Sequence, residues 1–250
     1  MEDSDPLIAF YERAYSARGA EAELYGGWRT LSAIGKAEHV IELCRREGIE
    51  PSSTLDVGCG DGALMEQLHA CGFGGRLAGM EISRAAAAIA AARPVVDSVG
   101  HFDGATLPLA GGAYELGILS HVLEHAPDPT ALLAEVARVC RAVVIEVPLE
   151  ANLSARRQSK RAHAEEIGHL RSLDRAGARA IVTGAGLRPT SELADPLPLA
   201  VQRYFARTPS QRAKASARWA IRAGAHRAAP ALAERLFTVH YACLCLPPGA

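Results

Sequence analysis

The chain has 250 residues, 49% hydrophobic and 22% charged, which suits one sizeable globular core rather than a disordered or fibrous protein. Its 27 basic and 28 acidic residues leave a net charge of −1, so no global electrostatic pull toward nucleic acid or a membrane surface exists. No apolar run of about 18 residues is present to span a bilayer, and the acidic start "MEDSDPLIAFYE" lacks the basic and apolar regions of a secretory leader.

Residues 7–48 read as helical: "AIGKAEHVIELCRREG" sets Ile34, Val40, Ile41 and Cys44 near helical spacing, and Gly48 is a stop signal. Ahead of them lies an aromatic stretch, in a chain that is only 5% aromatic. From Thr54 short β runs alternate with helical runs: "TLDVG" with "ALMEQLHACG", "RLAGMEI" with "SRAAAAIAAAR", then "VVDSVGHFD", "YELGILS" with "DPTALLAEVARVC", and "AVVIEVP" with "LDRAGARAIVTGAG". Continuous apolar strands separated by helices indicate an α/β fold whose parallel sheet is covered on both faces. Ser83 and Asp128 stand where helix N-caps belong, and Pro129 suits a first turn.

Two segments break the rhythm. Residues 149–171 are polar and basic, and 203–235 carry seven arginines and Lys214 against one acid, Glu234. Both read as insertions in a single domain. The six cysteines form no CxxC pair and are read as reduced core thiols of a cytoplasmic protein. Cys243 and Cys245 alternate on a strand without a partner pair, so no metal site is expected.

The stretch "TLDVGCGDGALME" ends a strand in glycines and starts a helix, leaving free backbone N–H groups beside a positive helix end. Gly58, Gly60, Gly62 and Ala63 also satisfy the dinucleotide spacing G-x-G-x-x-G/A, and Glu81 at the next strand end suits a ribose diol in either case. An NAD(P)-dependent oxidoreductase is therefore compatible with the loop. Read with Asp56, Asp103 in "HFDGATLP" and the "SHVLEH" that closes the fourth strand, the chain resembles the class I S-adenosylmethionine-dependent methyltransferases over roughly residues 30–195.

The resemblance implies a Rossmann-like, doubly wound, mostly parallel seven-stranded sheet, with "LFTVHYACLCL" as its antiparallel last strand. It implies S-adenosylmethionine as cofactor, with Asp56, Gly58, Gly60 and Gly62 around its methionine part. Glu81 would take the ribose hydroxyls, Ile82 would pack on the adenine, and Asp103 would accept its amino group beside Phe102 or Gly104. Ser120 and His121 would lie near the sulfonium. Tyr114-Glu115 in place of an aromatic–Asp pair, and the missing Pro-Gly-Gly turn before the fifth strand, depart from the family pattern away from the cofactor.

Methyl transfer from a sulfonium chiefly requires alignment of the acceptor and exclusion of water, and an oxygen or nitrogen acceptor can also call for a base. His125 and His169 are the histidines expected on the cofactor side of the sheet. Tyr11, Tyr15, Tyr25 and Trp28 are expected to form a lid within residues 1–48. The expected partner is a small molecule, with the arginines suggesting a carboxylate or phosphate on it; no nucleic acid is expected. Non-methylating chemistry on the same fold, such as cyclisation or decarboxylation, and a non-catalytic binding role are the competing readings.

Overall fold

Side chains alternate across a strand, so a continuous apolar run buries both of its faces, and the runs beginning at Thr54, Tyr114 and Cys140 do so. The computed structural model describes residues 6–248, so residues 1–5 of the expected lid and residues 249–250 lie outside the described residues. Strands β1 (Ser53–Val57), β2 (Arg76–Glu81), β3 (Ser98–His101), β4 (Tyr114–Ser120), β5 (Cys140–Pro148), β6 (Arg188–Asp195) and β7 (His240–Leu246) form one sheet in the order β3-β2-β1-β4-β5-β7-β6. The first five are parallel, and β7 enters antiparallel to both β5 and β6. The strand order reverses between β1 and β4, the switch point where open α/β sheets bind ligands at their carboxyl ends.

The period-two alternation is visible in the packing. Val143, Ile145 and Val147 of β5 and Tyr241, Cys243 and Cys245 of β7 face one core, shared with Leu133 and Val136 of α5 (Pro129–Val139) and Val182 of α7 (Arg175–Gly184). Ala142 and Val144, with Ala242 and Leu244, face the other, shared with Leu43 of α2 (Ala20–Arg46) and Leu68 of α3 (Ala63–Ala70). The expected helical stripe on α2 is shifted: Ala33, Ala37, Val40, Leu43 and Cys44 are buried, while Ile34 is exposed. All six cysteines are free; five are buried as core thiols, but Cys71, which follows α3, is exposed, because the helix ends there.

The first helix, α1 (Pro6–Ser16), precedes α2, and α4 (Arg84–Ala91) follows β2. The 149–171 segment contains α6 (Gln158–Glu166). Residues 203–235 fold as the end of α8 (Leu199–Arg203), α9 (Pro209–Ala228) and most of α10 (Pro230–Leu236), inserted between β6 and β7. Among the described residues no helix is long and apolar enough to cross a membrane.

Candidate functional site

The carboxyl ends of β1, β2 and β4 open into a cavity of about 1410 Å³. This exceeds the roughly 300–1,000 Å³ typical of a single-ligand pocket, so it has room for two molecules side by side. At its inner end β1 runs into Gly58, Gly60 and Gly62, with φ of 75°, 55° and 77°. These are left-handed values that side chains resist. Space forbids side chains there as well: a Cβ on Gly58 would stand 2.6 Å from Val122, and one on Gly60 2.5 Å from the Tyr15 hydroxyl. The loop therefore presents bare backbone to the cavity.

Glu81 ties that loop to β2. Its Oε2 accepts from Gly60 N (2.8 Å), and its Oε1 accepts from Ile82 N (2.8 Å) and Ser83 N (2.9 Å). Burial raises its carboxyl above the usual range, and the three amide donors pull against that. Burial also pushes the Asp56 carboxyl up to about 7, with Lys36 opposing and Glu81 adding to the rise. Asp103 is exposed and uses Oδ1 to accept from Ala105 N (2.9 Å) and Thr106 N (2.7 Å), so one oxygen shapes its turn. Phe102 turns its ring into the core beside Leu107, while Ile82 is partly buried against the same cluster and Gly104 approaches it. Ser120 Oγ is buried and has no hydrogen-bond partner among the described residues, although the residue lines the cavity.

Helix α1 lies across the loop. Glu12 fixes it by accepting from Ser83 Oγ (2.8 Å) and Ala85 N (3.2 Å) at the start of α4. Tyr15 sits under the Arg29 guanidinium, 4.6 Å from its ring, and Arg29 pairs with Asp61 of the glycine loop at 2.6 Å. Tyr11 lies edge-on to His125. The four expected lid rings separate into two groups. Tyr25 and Trp28 instead stack near Phe205, whose neighbour Tyr204 donates to Leu24 O. Those rings dock the segment after α8 onto α2 and reach the cavity from its far side.

The structure brings His125 and His169 together, with ring centroids 4.7 Å apart. His125 Nδ1 lies 3.0 Å from Gly168 O, to which it donates, and Nε2 is 3.2 Å from Tyr11 Oη. Burial lowers its pKa, with the Glu124 carboxylate pulling the other way. His169 instead directs Nδ1 at Glu150 Oε2, 2.8 Å away. Arg171 holds the loop beneath by donating to Leu123 O and Pro127 O. The 149–171 segment lines the cavity through Lys160, Arg161 and His169, and the later insertion reaches it through Arg222.

Around the expected His121, the residues His39, Glu124, Glu146 and His240 escape a sequence reading. His121, in the left-handed region at φ 60°, faces Glu124, Glu146 and His240; His39 faces Glu146 and Asp195. Glu146 interrupts the apolar run "AVVIEVP", and a charge inside a buried strand is the one local signal that was available.

The sequence profile of a family described as "Methyltransferase domain" matches residues 30–192. None of the curated proteins matches the chain. Among solved structures, geranyl diphosphate C-methyltransferase of Streptomyces coelicolor A3(2), in complex with Mg²⁺, geranyl diphosphate and S-adenosyl-L-homocysteine, is similar with a TM-score of 0.65. It is 14% identical, and the match covers 98% of this chain and 99% of that one. A chain of the complex between the Haloferax volcanii Trm112 methyltransferase activator and a methyltransferase gives 0.64, with 16% identity over 98% and 100% of the two chains. Magnesium protoporphyrin IX methyltransferase of Synechocystis PCC 6803 gives 0.53, with 16% identity over 96% and 94%. At these identities the likeness is one of fold.

Proposed function

The chain belongs to the methyltransferase-domain family, whose profile it matches over residues 30–192, and from that premise we propose that it transfers a methyl group from S-adenosylmethionine to an oxygen or nitrogen of a small molecule in a biosynthetic pathway. One observation carries the reading: a single cavity joins the bare glycine loop, Glu81 and Asp103 at one end to His125, His169 and the 149–171 segment at the other. The neighbours solved with S-adenosylhomocysteine support the choice of cofactor. With all six cysteines free, we assign the reaction to a reducing compartment, the cytoplasm.

The residues fit that cofactor. Gly58, Gly60 and Gly62 leave the space that its methionine part needs, with Asp56 facing its cationic groups. Glu81 would keep one lone pair on Oε2 for a ribose hydroxyl, and Asp103 would keep Oδ2 for the adenine amino group, beside Ile82, Phe102 and Gly104. Ser120 and His121 would stand at the sulfonium end, where the orphaned Ser120 hydroxyl would gain a partner. When bound, S-adenosylmethionine supplies a methyl group on a leaving group that is already activated.

This chain's own residues then align the acceptor and keep water out. Tyr11 and Tyr15 close one wall, and Tyr25 and Trp28 the other. His169 is the better placed base. Glu150 fixes its Nδ1–H, which leaves Nε2 to take a proton from the acceptor. Both nitrogens of His125 are engaged, so it shapes the loop and packs against His169. Lys160, Arg161 and Arg222 along the wall suit an acceptor carrying a carboxylate or phosphate.

Thermal shift tests the cofactor. At a hundredfold excess over Kd a ligand stabilises the fold by about 2.7 kcal/mol, so S-adenosylhomocysteine should raise the Tm by several degrees while NAD and NADP leave it unchanged. A response to NAD or NADP alone overturns the reading. With an accepted substrate in hand, His169→Ala should abolish turnover at unchanged S-adenosylhomocysteine affinity; wild-type turnover removes the base.

A further inference from the structure

A cluster of which the cofactor reading uses only His121 lies where β4 and β5 end and the antiparallel β7 begins. His121 Nε2 stands 3.2 Å from His240 Nδ1 and 3.3 Å from Glu146 Oε1, and His240 Nδ1 is 3.4 Å from that same oxygen. The three atoms form a nearly equilateral triangle. Zinc binds imidazole nitrogen and carboxylate oxygen at about 2.0–2.1 Å, and tetrahedral donors at that distance stand roughly 3.3 Å apart. The spacing is that of three corners around one ion.

Each ligand is also held from behind. His121 turns its other nitrogen, Nδ1, toward Glu124 Oε1 at 3.1 Å. Glu124 is fully buried, and neither of its oxygens has a well-aligned hydrogen bond among the described residues, so the imidazole is its compensation. Glu146 turns its other oxygen, Oε2, toward His39 Nδ1 at 3.2 Å, and His39 Nε2 is 3.2 Å from Asp195. Outer partners of this kind set the tautomer and aim of metal ligands. The left-handed backbone of His121 (φ 60°) is the sort of local strain that persists where a side chain must be aimed, and its own N–H is secured by Glu146 O at 2.8 Å.

We propose that His121, Glu146 and His240 form a binding site for one divalent transition-metal ion, zinc or an ion of similar size and preference, with its remaining position open to the cavity. Two imidazoles and one carboxylate favour such ions over magnesium or calcium, which prefer all-oxygen sets. All three residues line the cavity, so the open position faces the space assigned to the acceptor and suits an oxygen or nitrogen of it. The expectation of no metal rested on the cysteines; these ligands come instead from β5, the start of β7 and the turn after β4. In a second group, Glu124, His125 and His169, the imidazole Nδ1 atoms are already bonded to Gly168 O and Glu150.

The site is tested without any methyl donor, so its failure and the failure of the methyltransfer reading are separable. Chelator-stripped full-length protein is titrated with Co²⁺, followed by its visible d–d absorption, and then with Zn²⁺ in competition. One Co²⁺ per chain, displaced by Zn²⁺, is the expected result. Glu146→Gln and His240→Asn should each weaken binding at least about tenfold, and Glu124→Gln, which touches no metal, about 10–100-fold. His169→Asn should bind as the wild type does. No binding by the wild type above a buffer blank, undiminished binding by both ligand variants, or loss confined to His169→Asn each overturns the proposal. Far-UV circular dichroism of the metal-free variants checks their folding. If a ligand variant does not fold, Glu124→Gln and the wild-type stoichiometry decide, and full affinity in Glu124→Gln then counts against the site.

Discussion

Asp56 is a carboxyl that the fold holds most cheaply in its neutral form. Burial raises it to about 7, well above the ordinary aspartate value of about 3.9. Its contribution to stability is therefore complete below about pH 4 and is lost as pH rises through about 7, because the folded state binds the extra proton over that window. In cofactor-free protein the Tm difference between Asp56→Asn and wild type should accordingly grow, in favour of the variant, from about pH 5 to about pH 8. Scanning calorimetry at several pH values measures it, and a difference that stays flat removes burial of the charge as the cause. Asp56 stands out in the sequence because it lies two residues before the first glycine of the loop. Glu124 and His39 do not: their meaning depends on neighbours that only folding supplies.

At the scale of elements, α1 owes its place to few contacts. It is short, and Glu12, bonded to the start of α4, is a polar tie that seats it over the glycine loop beside the Tyr11–His125 contact. Glu12→Ala should speed amide exchange across residues 7–16 and weaken S-adenosylhomocysteine several-fold, with the far-UV spectrum unchanged. Exchange at the wild-type rate would mean that Tyr11 and Tyr15 alone seat the helix. The helices and strands were largely readable, since helical spacing from 7 to 48 and apolar runs from Thr54 to Pro148 each carry their own period. The placement of the N-terminal aromatic rings was only half readable. Aromatic content marked Tyr11, Tyr15, Tyr25 and Trp28, but Tyr25 and Trp28 answer to Phe205, some 180 residues further along the chain, and no local pattern encodes that. The same holds for the cation-ligating triad, whose members come from two strands and a turn joined by a hundred residues of chain.

At the scale of the whole molecule, β7 is the keystone, hydrogen-bonded on both edges and packed on both faces. Leu244 is fully buried there, so Leu244→Ala should cost about 2–5 kcal/mol, read as a lower denaturant midpoint with an unchanged m-value. A loss below about 1 kcal/mol would show that the sheet relaxes around the gap.

The seating of β7 between β5 and β6 also has a consequence for the order in which the protein is made. Val143 pairs with Cys245, so closing that ladder joins segments about a hundred residues apart, and contacts of such separation form slowly. The glycine loop, Glu81 and the parallel half of the sheet are complete in the first 150 residues. A nascent or refolding chain can therefore hold a nucleotide-shaped cradle before His240 reaches Glu146. Competence for the second half of the pocket then arrives as a late, separate event.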